Sequence, residues 1–188
     1  HYGKSLPKSK RINGPFPVIG SGGIIGYHND WLVDAPGLVV GRKGNIGTAI
    51  WSESNFFPID TTYFVTTEQN LKFIYYVFKT LRFVDSHAAV PGINRETVYQ
   101  TEVLVPNIKY QNLITCTLSA FDNLIENNTR RIEILEETAR ALYREWFVHY
   151  RYPGHENDTL VDSELGPIPE GWGVKPLSDC PFSLIKPK

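Results

Sequence analysis

The sequence predicts an α+β protein: a mixed, β-rich domain with short helices, followed by one long coiled-coil helix. Three observations carry this. Residues 1–109 are rich in Gly, Pro, aromatic and β-branched residues, set out as short apolar runs between turn residues. From Ile114 to Trp146, apolar residues recur at steps that alternate four and three, which is heptad spacing. Arg151-Tyr152-Pro153-Gly154 then closes the pattern as a helix stop.

Taken in order, Phe16-Pro17-Val18-Ile19 reads as a short strand broken by Gly20-Ser21-Gly22-Gly23, and Ile24-Ile25 as a second short run. Leu38-Val39-Val40 reads as a buried strand. Residues 41–47 form a Gly-rich turn, and Thr48–Trp51 returns as another strand. A further strand is expected over Asp60–Val65. Leu71, Ile74, Val77, Phe78 and Leu81 share one face at helical spacing. A loop over Asp85–Asn94 leads to an expected strand, Glu102-Val103-Leu104-Val105, ended by Pro106. Asn107 stands just before the long helix.

The seam of that helix is Ile114, Leu118, Phe121, Ile125, Asn128, Ile132, Leu135, Ala139, Leu142 and Trp146. The helix would be roughly 50 Å long at about 1.5 Å per residue, longer than a small core requires. Such a seam must be covered by another helix, and the sequence offers no second one of matching length. It therefore predicts a partner, either a second copy of the chain or another protein, and suits a spacer. Asn128 is the one polar seam residue. A lone Asn at such a position fixes register and oligomer state, or else faces a locally wet stretch. The expected divisions are 1–109 for the domain, 110–150 for the helix, 151–166 for a polar linker and 167–188 for the opening of a second globular unit or a fold-back tail.

A chain of 188 residues has room for one compact domain plus this helix. The 41% hydrophobic and 13% aromatic content exclude a disordered chain. No apolar run reaches about 18 residues, and the N-terminus has no secretory pattern. Cys116 and Cys180 are isolated and read as reduced thiols of an intracellular protein. Residues 1–109 carry 11 Lys/Arg against 8 Asp/Glu, and residues 110–188 carry 8 against 12. The domain is thus modestly basic and the helical half acidic, a weak pointer to a polyanion facing the domain. The chain has no Met and opens on His1-Tyr2-Gly3-Lys4, so it reads as a fragment or a processed product.

Catalytic and metal signatures are weak. The run Gly20-Ser21-Gly22-Gly23-Ile24-Ile25-Gly26 fails the dinucleotide fingerprint, because Ile25 stands where the last Gly is needed. No Gly-Lys-Ser/Thr follows, so a set of tight turns is the better reading. His1, His28, His87, His149 and His155 show no metal-ligand spacing. Asp85-Ser86-His87 resembles a piece of a hydrolytic constellation, but no nucleophile elbow accompanies it. No metal site and no catalytic residue is expected.

The polar loops say more. Arg42-Lys43-Gly44-Asn45 puts two cations at a turn between apolar strands. Arg can bond guanine and Asn adenine in bidentate fashion, and Lys pairs with phosphate. Lys4, Lys8, Lys10 and Arg11 form a second basic cluster, Tyr27, His28 and Asn29 lie on another loop, and Ser21 sits in the Gly-rich turn. Each alone can be a solvated turn residue. Together, on a rigid β scaffold, they suit DNA reading better than a small-molecule pocket.

Several segments in order carry a family resemblance: Gly20–His28; Gly41-Arg42-Lys43-Gly44 with Gly47; Ile59–Tyr63; Val90–Arg95; Arg131-Ile132 through Glu145–Val148; and Gly166–Trp172. The chain resembles the specificity subunit of Type I restriction-modification enzymes. The resemblance implies two target-recognition domains separated by two antiparallel long helices, each domain reading half of a bipartite DNA site from the major groove. It implies no catalytic residues and no cofactor on this chain. Modification subunits using S-adenosylmethionine and a restriction subunit using ATP and Mg are the expected partners, in a prokaryotic cytoplasm. This chain departs from the pattern in having one domain and one long helix, with Pro169-Glu170-Gly171-Trp172, a domain opening in the family, near its end. It therefore reads as a truncated product or as a half-subunit that pairs into a homodimer through the helix. A coiled-coil scaffold with a protein-binding head, or a small α/β enzyme with a Gly-rich pocket, are the rival readings.

Overall fold

Glycines bound the apolar runs Val18-Ile19, Ile24-Ile25 and Leu38–Val40 of the first half. The computed structural model describes residues 1–83 and 92–179. The chain divides into one unit over His1–Asp122 and another over Asn123–Lys188. In chain order the first unit holds β1 (Phe16–Gly20), β2 (Gly23–His28), β3 (Gly37–Gly41), β4 (Ala49–Ser52), β5 (Phe57–Pro58), β6 (Thr62–Val65), α1 (Leu71–Thr80) and α2 (Arg95–Gln100). It also holds the start of α3 (Ile108–Tyr143). The α+β class read from the sequence is the class observed.

Two three-stranded sheets result, ordered β2-β1-β5 and β4-β3-β6. β1 and β2 form an antiparallel hairpin, and the Gly-rich run is indeed its turn. Register shifts between Val18 and Ile19, opposite Gly26 at φ +146°, a conformation open to Gly but costly to other residues. β3 is buried along its whole length. Leu38 and Val40 pack with Tyr63, Ile93 and the inner face of α1, while Val39 packs with Ile19 and Phe56. Alternation along one strand thus joins both apolar clusters.

Backbone bonds from the chain start extend the second sheet. His1 O accepts from Phe64 N–H at 2.9 Å, the His1 amino group donates to Phe64 O at 2.8 Å, and Tyr2 bridges Tyr63. The expected strand at Asp60 begins two residues later, because Thr62 N–H and Oγ1 both turn back onto Ile59 O, at 3.0 and 2.7 Å.

The segment before α3 differs from expectation. Helix α2 occupies Arg95–Gln100, and Glu102–Val105 forms no strand. Its β-branched residues lack a neighbouring strand among the described residues, and β-propensity is realised only through such a partner. Leu104 is 94% exposed.

Helix α3 spans 36 residues and passes into a π-helical turn at Arg144–Val148, near the expected end. Its first turns are fixed to the domain by polar contacts. Gln111 is fully buried, yet its amide is satisfied: Nε2 donates to Gln69 Oε1 at 2.6 Å and Pro106 O at 2.7 Å, and Oε1 accepts from Asn70 N–H at 3.0 Å. Asn70 caps α1 through Phe73 N–H at 2.9 Å and donates Nδ2 to Asn112 Oδ1 at 2.8 Å. Tyr76 donates to Asp122 Oδ2 at 2.7 Å, and burial pushes its phenol above the ordinary value.

In the second unit, β7 (Leu160–Val161) pairs with β8 (Ile168–Pro169). The segment expected as a linker therefore supplies one strand of a hairpin that runs across residues 166 and 167. Trp172 stacks on Tyr152 at 5.9 Å and 14°, meets Tyr150 edge-on, and touches Phe147. The Pro-Glu-Gly-Trp segment thus closes against the end of the helix.

Replacing Gln111 with Leu strands the Asn70 N–H, Gln69 and the Pro106 carbonyl in a dry site. The expected cost is about 2–3 kcal/mol in urea unfolding. A loss under about 0.5 kcal/mol would show that solvent or a shifted neighbour takes over these bonds. The raised Tyr76 value adds a pH dependence: its contribution is full below the ordinary value of 10.0 and fades as pH rises through the raised one.

Candidate nucleic-acid interface

The segment 6–14 lies along β2 and is held there by two residues expected to contact DNA. Arg11 donates Nη1 to Ile25 O at 3.0 Å and Nε to Leu6 O at 3.3 Å. His28 is 8% exposed, and its Nδ1 accepts from Ile12 N–H at 3.0 Å. His28 is thus a fastening of the loop, because β2 turns its ring inward toward Phe57. Arg11 is half-buried and committed to carbonyls. Lys4, Lys8, Lys10, Tyr27 and Asn29 remain exposed, Lys8 and Lys10 on a single 3-10 turn.

The β1–β2 turn meets the β3–β4 turn. A Cβ built on Gly22 would lie 3.0 Å from Asn45 Nδ2, and one on Gly44, at φ +77°, would lie 3.7 Å from Ser21 Oγ. A Cβ on Gly41 would collide with the Asn45 carbonyl. Close packing of these two Gly turns places half-buried Ser21 and exposed Asn45 side by side. Residues distant in sequence form one polar ridge.

Arg42 and Lys43 part company. Both backbone N–H groups bond Thr61 O, at 2.9 and 3.1 Å. The Arg42 guanidinium donates to Asp60 O at 3.0 Å and lies over the Tyr2 ring at 5.1 Å. It is braced against the domain wall on this side. Lys43 is exposed. Around them is a pocket of about 240 Å³ lined by Tyr2, Arg42, Lys43, Tyr63, Gly92, Ile93, Asn94 and Thr97. Burial first, then hydrogen bonding to Tyr2, pushes the Tyr63 phenol up, so it stays neutral and donates to Ile93 O at 3.0 Å. Sequence reasoning missed Tyr2, Asn94 and Thr97. Asn94 before Arg95-Glu96-Thr97 was a readable helix-cap signal, and its Oδ1 accepts from Thr97 N–H at 2.7 Å.

The second predicted surface is the helix seam. Ile114, Leu118, Phe121, Ile125, Asn128, Ile132, Leu135, Ala139, Leu142 and Trp146 are all exposed. Leu113, Leu124 and Ile134 are exposed apolar residues outside the seam that the spacing did not select. Among the described residues, no group of three or more His, Cys, Asp or Glu is placed to hold a metal, and no helix is long and apolar enough to cross a membrane. Asp85, Ser86, His87 and Cys180 lie outside the described residues.

The family described as Type I restriction modification DNA specificity domain matches residues 1–137. In Methanocaldococcus jannaschii, the Type I restriction enzyme MjaIX specificity subunit is 34% identical over 115 residues, covering 57% of this chain and 26% of that protein. The MjaVIII specificity subunit is 26% identical over 111 residues, covering 55% and 25%. The matches thus span about a quarter of these relatives' length. The crystal structure of a Type I restriction-modification S subunit from M. genitalium superposes with a TM-score of 0.64 at 22% identity, over 86% of this chain and 48% of that one. That likeness is one of fold.

The different placements of Arg42 and Lys43 separate their effects on stability. Arg42→Ala removes the packing on Tyr2 and the bond to Asp60 and is expected to cost about 1–2 kcal/mol in chemical denaturation. Lys43→Ala should stay within about 0.5 kcal/mol of the parent chain. Equal effects would contradict the division.

Proposed function

We propose, from the premise that this chain belongs to the Type I restriction modification DNA specificity domain family, that it reads half of a bipartite DNA site. The observation that carries the proposal is the polar ridge of Ser21 and Asn45 beside exposed Lys43, all within the segment matching the family. Lysines position the domain on phosphates, and the ridge offers donors and acceptors to base edges in the major groove. The coiled-coil scaffold with a protein-binding head is not favoured by this family membership.

On this reading the chain is non-catalytic and binds no cofactor. It positions modification subunits that use S-adenosylmethionine and a restriction subunit that uses ATP and Mg, in a prokaryotic cytoplasm. The exposed seam supports pairing of two copies through α3, with Asn128 setting register. Two identical domains would then read a symmetric site, and the helices would fix the spacing between its halves.

Selection from a pool of random duplexes is expected to recover two inverted copies of one short motif at fixed spacing. Sedimentation at tens of micromolar should give a dimer for the parent chain and a monomer for Leu135→Glu, which buries a charge in the seam. A monomeric parent chain would end the pairing proposal. A single unpaired motif would leave DNA reading standing and remove the symmetric site.

A further inference from the structure

The pocket around Arg42 has a composition that neither the ridge nor the seam accounts for. Among the described residues its lining holds two cations, two phenols, an Asn and a Thr, and no carboxylate. In a chain with 20 Asp/Glu against 19 Lys/Arg, such a lining favours anions locally. At about 240 Å³ it holds several times the roughly 30 Å³ share of one water molecule.

The donors are fixed before any ligand arrives. Arg42 is braced by Asp60 O and by the Tyr2 ring, which restricts its rotamers. Tyr63 is held by Ile93 O. Asn94 Oδ1 accepts from both Thr97 N–H and Thr97 Oγ1, at 2.7 and 2.9 Å. The carbonyl end of the Asn94 amide is therefore engaged, and its NH2 end has no partner among the described residues. Lys43, joined to Gly92 by a backbone bridge, brings a mobile cation to the rim. A braced guanidinium, an ammonium and an amide donor together match the oxygens of a phosphodiester.

We propose that this pocket seats one phosphate of the DNA backbone and fixes the register of the polar ridge on the duplex. Tyr2, Asn94 and Thr97 become positioning residues for recognition, and Arg42 acts on phosphate, not on a base. The proposal rests on the reading of the chain as a DNA-binding module and adds a specific anchor to it.

Asn94→Asp is the discriminating variant. Asp caps a helix as well as Asn and keeps the acceptor for Thr97, so α2 is preserved while a negative charge enters the pocket. Binding of the full chain to a random-sequence duplex is measured by fluorescence anisotropy from 50 to 200 mM salt. Asn127→Asp, on the exposed surface of α3, is the control for net charge. Asn94→Asp is expected to weaken binding about tenfold and to flatten the log–log salt slope by about 0.9, the signature of one lost phosphate contact. Asn127→Asp should change neither. Binding of Asn94→Asp equal to that of the parent chain, with an unchanged slope, overturns the phosphate seat and leaves the DNA reading intact. Absence of duplex binding by the parent chain overturns both. Inorganic phosphate at millimolar concentration serves as a second probe, followed by the Lys43 and Thr97 amide resonances. If it perturbs them while duplex affinity is the same in both chains, the pocket takes free anions and the backbone assignment fails.

Discussion

The buried amide of Gln111 is the contact on which the rest of the molecule depends. Among the described residues it is the one place where the long helix is fastened to the β-rich domain by a fully desolvated group, and its three bonds reach Gln69, Asn70 and Pro106. A buried polar group is tolerated only when satisfied, so the position of α3 is tied to the cap of α1 and to the chain entering the helix. Asn70 is shared: one side chain starts α1, bonds Asn112 and accepts from Thr115 at 3.3 Å. Apolar contact alone would permit sliding, whereas directional bonds at this joint do not. A helix held at one position on its domain needs such an origin.

From α1 the constraint passes to the sheets. Leu71, Ile74 and Phe78 pack on Leu38 and Val40. Because β3 is buried on both faces, its other side locks onto Ile19 and Phe56 and so onto the β1–β2 hairpin. The two turns that carry Ser21 and Asn45 emerge from the ends of this doubly packed framework. Their proximity is enforced by Gly22, Gly41 and Gly44, where side chains would clash or strain the backbone. Polar residues on short, glycine-tight turns lose little entropy on contact, which is the physical advantage of presenting them this way.

Much of this was legible in the sequence, and the exceptions share a cause. Strands over 16–20 and 37–41, the helix over 71–80 and the long helix all followed from local periodicity. The expected strand at Glu102–Val105 failed because strand formation depends on a neighbour, which local pattern does not reveal. The candidate site divides by packing. Lys4, Lys8, Lys10, Lys43, Asn29 and Asn45 are exposed, as loop residues should be, and Tyr27, expected on a loop, is exposed on β2. Arg11 and His28 are as polar and as close to turns, yet they are taken up by Leu6, Ile25 and Ile12, while Arg42 is braced by Asp60 and Tyr2. Residue type identifies a hydrogen-bonding group, but only packing decides whether its partner is internal. Tyr2, Asn94 and Thr97 were missed for the converse reason, since they meet Arg42 only through pairing distant in sequence.

The polar joint and the apolar seam occupy neighbouring faces of one helix. Gln111, Thr115, Ser119 and Asp122 step by four, four and three, and all bond α1 or its cap region. Ile114, Leu118 and Phe121 repeat the same rhythm one residue earlier. At about 100° per residue, implied by 3.6 residues per turn, the two faces are adjacent and do not overlap. The helix can therefore hold the domain through one face and remain exposed on the next. The first turns of the seam therefore border the joint with α1, whose edge Tyr76 and Asn70 mark. Satisfying the joint with hydrogen bonds leaves the apolar residues of these turns unspent and exposed. The same helix is thereby divided into a fixed attachment on one face and an exposed apolar surface on the next.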